Sequence, residues 1–200
     1  MKLQKKSQKN HNSLIKKNLL DHKFILSKIL DSQKILSQIN QISEDCINAI
    51  KNKKKILLLG NGGSASDAMH ITAELIGRFN KERIALPVID LVSNPSSITA
   101  LANDYNYKQI FSRQLQGVGN EGDILICIST SGLSQNVVEA IKIAEKKSIK
   151  TVILTGNKKN NLHKFKSLEI VKVPSQSTAR IQEMHILIGH IICEIIEKYF

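Results

Sequence analysis

The sequence predicts an α/β fold, a parallel sheet covered by helices on both faces. Three observations lead there. Short apolar runs alternate with amphipathic segments at helical spacing. The runs are apolar at every position rather than at every second one, as in strands buried on both faces. Two of them, within ILLLGNGGSAS at 56–66 and ILICISTSGLS at 124–134, stop at a cluster of glycine and hydroxyl residues, and a helical pattern follows. Such a turn offers backbone N–H groups and hydroxyls at the positive end of a helix, which suits a phosphate. Two such turns in one small domain point to a phosphorylated ligand held between strand ends.

The elements follow in order. Residues 1–20 read as a flexible, basic, polar arm. Over 21–51, Ile25, Ile29, Leu36, Ile39 and Ile47 recur near the helical period, so one amphipathic helix is expected. A lysine-rich linker leads to strand one at 56–59, and a helix over 65–79 comes next. Strand two lies near 86–92. Pro95 marks a turn, and short helices are expected over 97–102 and 108–118. The turn at 119–123 leads to strand three at 124–129, followed by an amphipathic helix over 136–147. Strand four, at 151–154, ends in Thr155-Gly156-Asn157, and strand five lies near 168–173. The last helix starts at Ser177 or Thr178 and runs to about residue 199, striped by Ile181, Met184, Ile188, Ile191 and Ile195. The reading is a three-layer sandwich with five parallel strands, forming one domain over 21–200.

Composition narrows the class. Two hundred residues suit one domain with a real core. No stretch approaches the ~20 apolar residues that span a bilayer, and the basic N-terminus leads into no apolar signal region. Cys46, Cys127 and Cys193 are scattered and form no CxxC pair, which fits reduced thiols in a cytoplasmic protein. The net charge of +12 raises the question of nucleic acid. The lysine runs at 2–23 and 51–55 have no interleaved aromatics and belong to no nucleic-acid motif, so a solvated basic surface is expected. Such a surface still draws anionic substrates.

The candidate site residues cluster in four places. The loop Gly60-Asn61-Gly62-Gly63-Ser64 lacks both the dinucleotide GxGxxG spacing and the lysine of a P-loop. The alternative reading of this segment alone is a tight turn with a helix cap. Ser129-Thr130-Ser131-Gly132-Leu133-Ser134 carries four hydroxyls in six residues, more than one N-cap needs. His70 and Glu74, four apart on a helix, share a face. They are a usable chelate or a base beside a ligand, or simply two surface polar residues, with Arg78 one turn on as a partner for Glu74. On the last helix His190 interrupts an apolar stretch. Gln182 lies ~12 Å before it along the axis, too far for the spacing alone to make them partners on one metal. Asn103 and Asp104 suit a turn or sugar hydroxyls.

These segments resemble a known family. GNGGSASDAMHITAELIGRF at 60–79, NDY at 103–105, FSRQ at 111–114, STSG at 129–132, LTG at 154–156 and TARIQEMH at 178–185 are similar, in order, to the bacterial sedoheptulose 7-phosphate isomerases. These phosphoheptose isomerases belong to the wider sugar-isomerase, or SIS, domain group. The match covers about 24–198 and leaves the arm outside. Met69 stands where many relatives have Gln, Leu133 where many have Asn, and Ala179 where some have Asp.

The resemblance implies a five-stranded parallel sheet in a three-layer sandwich, a homotetramer with its active sites at subunit contacts, and one Zn²⁺ per subunit. It implies His70, Glu74, Gln182 and His190 as metal ligands. As substrate-binding residues it implies Asn61, Gly62, Gly63, Ser64, Glu74, Asn103, Asp104, Ser129, Thr130, Ser131, Ser134 and Gln182. The expected activity converts sedoheptulose 7-phosphate to D-glycero-D-manno-heptose 7-phosphate through an enediol, with Glu74 as base and His190 as acid. That is the first step towards nucleotide-activated heptose for lipopolysaccharide or other surface polysaccharide. The rival expectation is a non-catalytic SIS protein that binds the replication initiator or senses sugar phosphates.

Overall fold

The computed structural model describes residues 2–200, with side chains from His11 onward. The apolar runs form one sheet of five parallel strands: β1 Ile56–Gly60, β2 Val88–Asp90, β3 Ile124–Ile128, β4 Lys150–Thr155 and β5 Leu168–Lys172. Their order is β2-β1-β3-β4-β5. The register is unbroken at the centre, where Ile56 to Gly60 pair with Ile124 to Ile128.

Alternate side chains of each strand enter opposite cores. Ile56, Leu58, Ile126, Val152, Leu154 and Val171 face one way, under the helices α2 Gln33–Lys51, α3 Gly63–Ile76 and α7 Thr178–Glu197. Leu57, Leu59, Leu125, Cys127 and Ile153 face the other, under α5 Ile110–Val118 and α6 Gln135–Lys146. A further helix, α4 Pro95–Asp104, follows β2. This two-sided burial is why the strands carry no polar alternation, and the expected three-layer α/β sandwich is what the chain forms.

The N-terminal segment departs from expectation in two ways. The first helix, α1, spans Lys2–Leu30, so its described part runs unbroken through 11–20, where a polar arm was expected. Its middle is tied down: Arg180 Nη1 donates to the Asn18 carbonyl at 2.7 Å, and His22 Nδ1 lies 2.8 Å from Glu183 Oε2. The helix expected over 21–51 is two helices. Ser32 leaves helical geometry and caps α2, its Oγ accepting from Ile35 N at 3.3 Å. The lysine run at 51–55 is also not all solvated surface. Lys55 Nζ lies 2.6 Å from Oδ2 of the buried Asp123, whose carboxylate also accepts from the Lys55 and Asn120 amides.

β1 leads outward to β2 on one side, while β3 pairs on its other side. The chain direction across the sheet therefore switches between β1 and β3, and the crevice beyond their C-terminal ends is where such sheets bind ligands. Both glycine-hydroxyl loops lie there.

Candidate active site

The loop after β1 and the loop after β3 form one cavity of about 310 Å³, with Asn61, Gly62, Gly63 and Ser64 on one side and Ser129, Thr130, Ser131 and Ser134 on the other. Thr178 and Gln182 of α7 close it. Three helices, α3, α6 and α7, begin at this cavity, and none has a side-chain cap at its N-terminus. Three positive helix ends therefore converge on one space, each equivalent to roughly half an elementary charge. The capping alternative for the two loops does not hold. Ser129 Oγ accepts from Gly132 N at 3.2 Å, and Ser131 Oγ accepts from Leu133 N at 3.1 Å. Both hydroxyls are thereby oriented by their own loop, with their protons left to donate. The cavity can hold a dianion without an arginine.

Gly63 is needed for packing. A Cβ there would sit 2.5 Å from Gln182 Nε2, so the absence of a side chain lets the Gln182 amide lie over the start of α3. Gln182 is thus a wall of this cavity.

The second group of polar residues lies further along the same two helices. His70 Nε2 is 3.1 Å from Glu74 Oε1, and the His70 and His190 rings meet edge-on at 4.9 Å. One donor atom from each of His70, Glu74 and His190 can be chosen so that all lie within 4.8 Å of one another. The approach of α7 to α3 here depends on Gly189, whose added Cβ would meet Ile71 Cδ1 at 2.5 Å. His190 Nε2 is buried and has no hydrogen-bond partner, an orphaned donor-acceptor that a metal would satisfy. Two imidazoles and a carboxylate are a donor set suited to zinc with an open position, so these three residues fit the implied ion. The structure does not group Gln182 with them. It sits two helical turns earlier on α7, against Gly63.

Asn103 and Asp104 end α4, are exposed and do not line the cavity; Asn103 Nδ2 donates to Asp104 Oδ1 at 3.0 Å. Glu74 pairs with His70 and not with Arg78, which lies beyond the end of α3.

Three residues near the site were not singled out from the sequence. Asn136, buried at the start of α6, and Tyr107, whose hydroxyl donates to Asn61 Oδ1 at 3.0 Å, both hold Asn61 in place. Thr178 was read only as a helix start. Nothing in their local pattern marks them, because their partner lies across the crevice. Two titratable groups sit close by. Asp67, one turn before His70, has a buried Oδ2 without a partner; burial raises its pKa to about 6, with His70 pulling the other way. His185 is fully buried between α7 and β4, and burial pushes its pKa down to about 4, the Thr155 backbone opposing weakly.

Comparison with known proteins agrees with this geometry. The SIS domain family profile matches residues 22–156. The chain is similar to a phosphoheptose isomerase of Nitratiruptor sp., 48% identical over 186 residues that make up 93% of this chain and 98% of the relative. A phosphoheptose isomerase of Helicobacter pylori is 46% identical over 94% of this chain and 96% of its own. Both alignments are longer than the motif-bearing region at 24–198. Among solved structures, a phosphoheptose isomerase from Neisseria gonorrhoeae superposes with a TM-score of 0.87 at 33% identity, over 94% of this chain and 98% of that one. One from Francisella tularensis gives 0.85 at 37%, over 93% and 98%. Near-full-length identity at this level, in a fold that presents its loops at the same switch point, places this chain in the phosphoheptose isomerase family of SIS-domain proteins.

Proposed function

We propose that the chain is an aldose–ketose isomerase converting sedoheptulose 7-phosphate to D-glycero-D-manno-heptose 7-phosphate through an enediol. One observation carries this reading: α3 and α7 each run from an anion cradle to a His/Glu cluster. Ser64 and His70 are about 9 Å apart along α3, a span on the scale of an extended sugar phosphate. The phosphate occupies the cradle of Ser64, Ser129, Thr130, Ser131 and Ser134 with the Gly62 and Gly63 backbone. It thereby fixes which carbons reach Glu74 and His190. Asn61 and Gln182 bind hydroxyls on the way, and Asn103 and Asp104 do so from the end of α4.

Glu74 removes a proton from the carbon beside the carbonyl, and His190 gives one to the carbonyl oxygen, which leaves an enediol. The neighbouring hydroxyl then releases its proton to His190. Glu74 returns its proton to the carbon that had carried the carbonyl, and ketose has become aldose. A zinc ion held by His70, Glu74 and His190 would supply Lewis-acid polarisation at the carbonyl end of the substrate. Gln182, which the resemblance implies as a fourth ligand, lines the cradle two helical turns earlier on α7.

We further propose a cytoplasmic homotetramer with one zinc per subunit and a single SIS domain over 21–200 that includes its N-terminal oligomerisation helix, with the face of α1 before residue 21 extending that surface. Leu14, Ile15, Leu19, Leu20, Phe24 and Leu30 of α1 are exposed, an apolar surface suited to self-association. The three cysteines are free and buried, which suits a reducing compartment. No helix among the described residues is long and apolar enough to cross a membrane. The deciding experiment is incubation of zinc-loaded protein with sedoheptulose 7-phosphate and NMR analysis of the product. Appearance of the heptose 7-phosphate supports the reading, and unchanged substrate overturns it.

A further inference from the structure

The start of the segment between α3 and β2 is gripped by one buried carboxylate. Glu197, the last residue of α7, is buried. It accepts from three consecutive backbone amides: Phe79 N at 2.9 Å, Asn80 N at 2.9 and 3.0 Å, and Lys81 N at 3.1 Å. The Arg83 guanidinium lies on the same carboxylate, Nε to Oε1 3.8 Å, and both side chains are almost wholly buried. The other end of that guanidinium reaches the neighbouring helix, where Arg83 Nη2 donates to the Glu74 carbonyl at 2.7 Å.

A buried charge is costly unless it is paired and hydrogen-bonded. A helix end packed on a loop has no need of one. Here two contacts of the carboxylate, Phe79 and Arg83, lead to the candidate active site. Phe79, whose amide it holds, sets its ring 5.5 Å from that of His190, tilted by 35°. Arg83 grips the backbone of Glu74 itself. Glu197 and His190 lie seven residues apart on α7, two turns along one face. The result is a closed mechanical circuit: α7, the 79–83 segment, α3, and back to α7 through the contact of His70 with His190.

We propose that Glu197 and Arg83 are positioning residues for the isomerisation. Through Phe79 and the Glu74 backbone they fix the His190 imidazole against the Glu74 carboxylate. This inference rests on the isomerase reading of the site. Burial acting alone would raise the Glu197 pKa, but the amides of Lys81, Asn80 and Phe79, with Arg83, hold it below its ordinary value. The clamp is therefore ionised at neutral pH.

The test uses full-length Glu197→Gln and Arg83→Lys, with wild type and Glu74→Gln beside them. Five quantities are measured: the melting temperature, kcat and KM for sedoheptulose 7-phosphate, inhibition by inorganic phosphate, and the ring ¹⁵N resonances of the histidines. Glutamine leaves one oxygen for three amides. Lysine keeps the charge but cannot bridge Glu197 and the Glu74 carbonyl together. Both variants are expected to lose at least tenfold in kcat, with KM and phosphate inhibition within twofold of wild type. The His190 ring resonances move, while those of His163, on the β4–β5 connection, stay. A lower melting temperature with kcat and the His190 resonances unchanged shows a purely structural anchor and overturns the proposal. If Glu197→Gln does not fold, Arg83→Lys and Phe79→Leu decide by the same readouts. A wild-type protein that turns over no sugar phosphate, yet shows the His190 shift in Glu197→Gln, overturns the isomerase reading and keeps the mechanical link.

Discussion

Asn61 and Asn136 exchange both of their side-chain hydrogen bonds: Asn61 Nδ2 donates to Asn136 Oδ1 at 2.9 Å, and Asn136 Nδ2 donates to Asn61 Oδ1 at 2.8 Å. The pair ties the loop after β1 to the helix after β3 and so fixes the width of the cradle between them. Asn136→Ala removes the buried partner of a part-buried pair. It is expected to cost about 1–3 kcal/mol of stability and to weaken inorganic phosphate binding. Urea unfolding and phosphate inhibition measure the two effects; a variant unchanged in both would remove this role.

Ser129→Ala and Thr130→Val each delete a cavity-lining hydroxyl proposed to donate to the phosphate dianion. Such a bond is worth roughly 1.5–3 kcal/mol, so affinity for substrate and for inorganic phosphate should fall together, about 10- to 100-fold. Phosphate inhibition that stays at the wild-type level in both variants contradicts the assignment.

Glu74→Gln keeps size and hydrogen bonding but cannot take a proton. Its turnover should fall by about 10²–10⁴-fold, and His190→Gln should fall similarly. On the proposed shared proton transfer, the double variant should do much less damage than the product of the two. Solvent deuterium entering the substrate beside the carbonyl reports the step directly. Exchange at the wild-type rate in Glu74→Gln would show that another group is the base. Zinc content by elemental analysis should fall in His70→Ala and His190→Gln.

The exposed apolar face of α1 makes its own forecast. Leu20→Glu with Phe24→Glu should shift light-scattering mass from tetramer to a smaller species. Deleting residues 1–20 should weaken assembly too, because Leu14, Ile15, Leu19 and Leu20 go with it. A wild-type protein that is monomeric at micromolar concentration would refute the assembly.

His185 gives a pH signature. Its pKa is about 4 in the folded chain and 6.5 in the unfolded one. Between these values the unfolded chain binds the extra proton, so stability falls as pH drops from 6.5 towards 4, by up to about 3 kcal/mol. Asp67, raised to about 6, works in the opposite sense over much of that range. Comparing urea unfolding of wild type and His185→Leu isolates the histidine, and equal pH slopes would show that it does not titrate as described.

The sequence by itself determined the layers and the cradle. Strands such as Ile56–Gly60 and Ile124–Ile128 are apolar at every position because both faces are covered, and a short local run is enough to show that. The glycine-hydroxyl loops were legible for the same reason, since each is contiguous and chemically dense. His70 and Glu74 declared a shared face through helical spacing alone. Tertiary structure decided what lies across a gap. It set His190 beside His70 at a crossing permitted by Gly189, placed Gln182 over Gly63, and gave Asn61 its partners Asn136 and Tyr107. It also turned Lys55 inward to Asp123 and joined Glu197 to residues more than a hundred positions earlier. Periodicity reports which face of an element is buried, but the identity of the facing residue depends on how two elements cross, and that is fixed only when the whole chain packs.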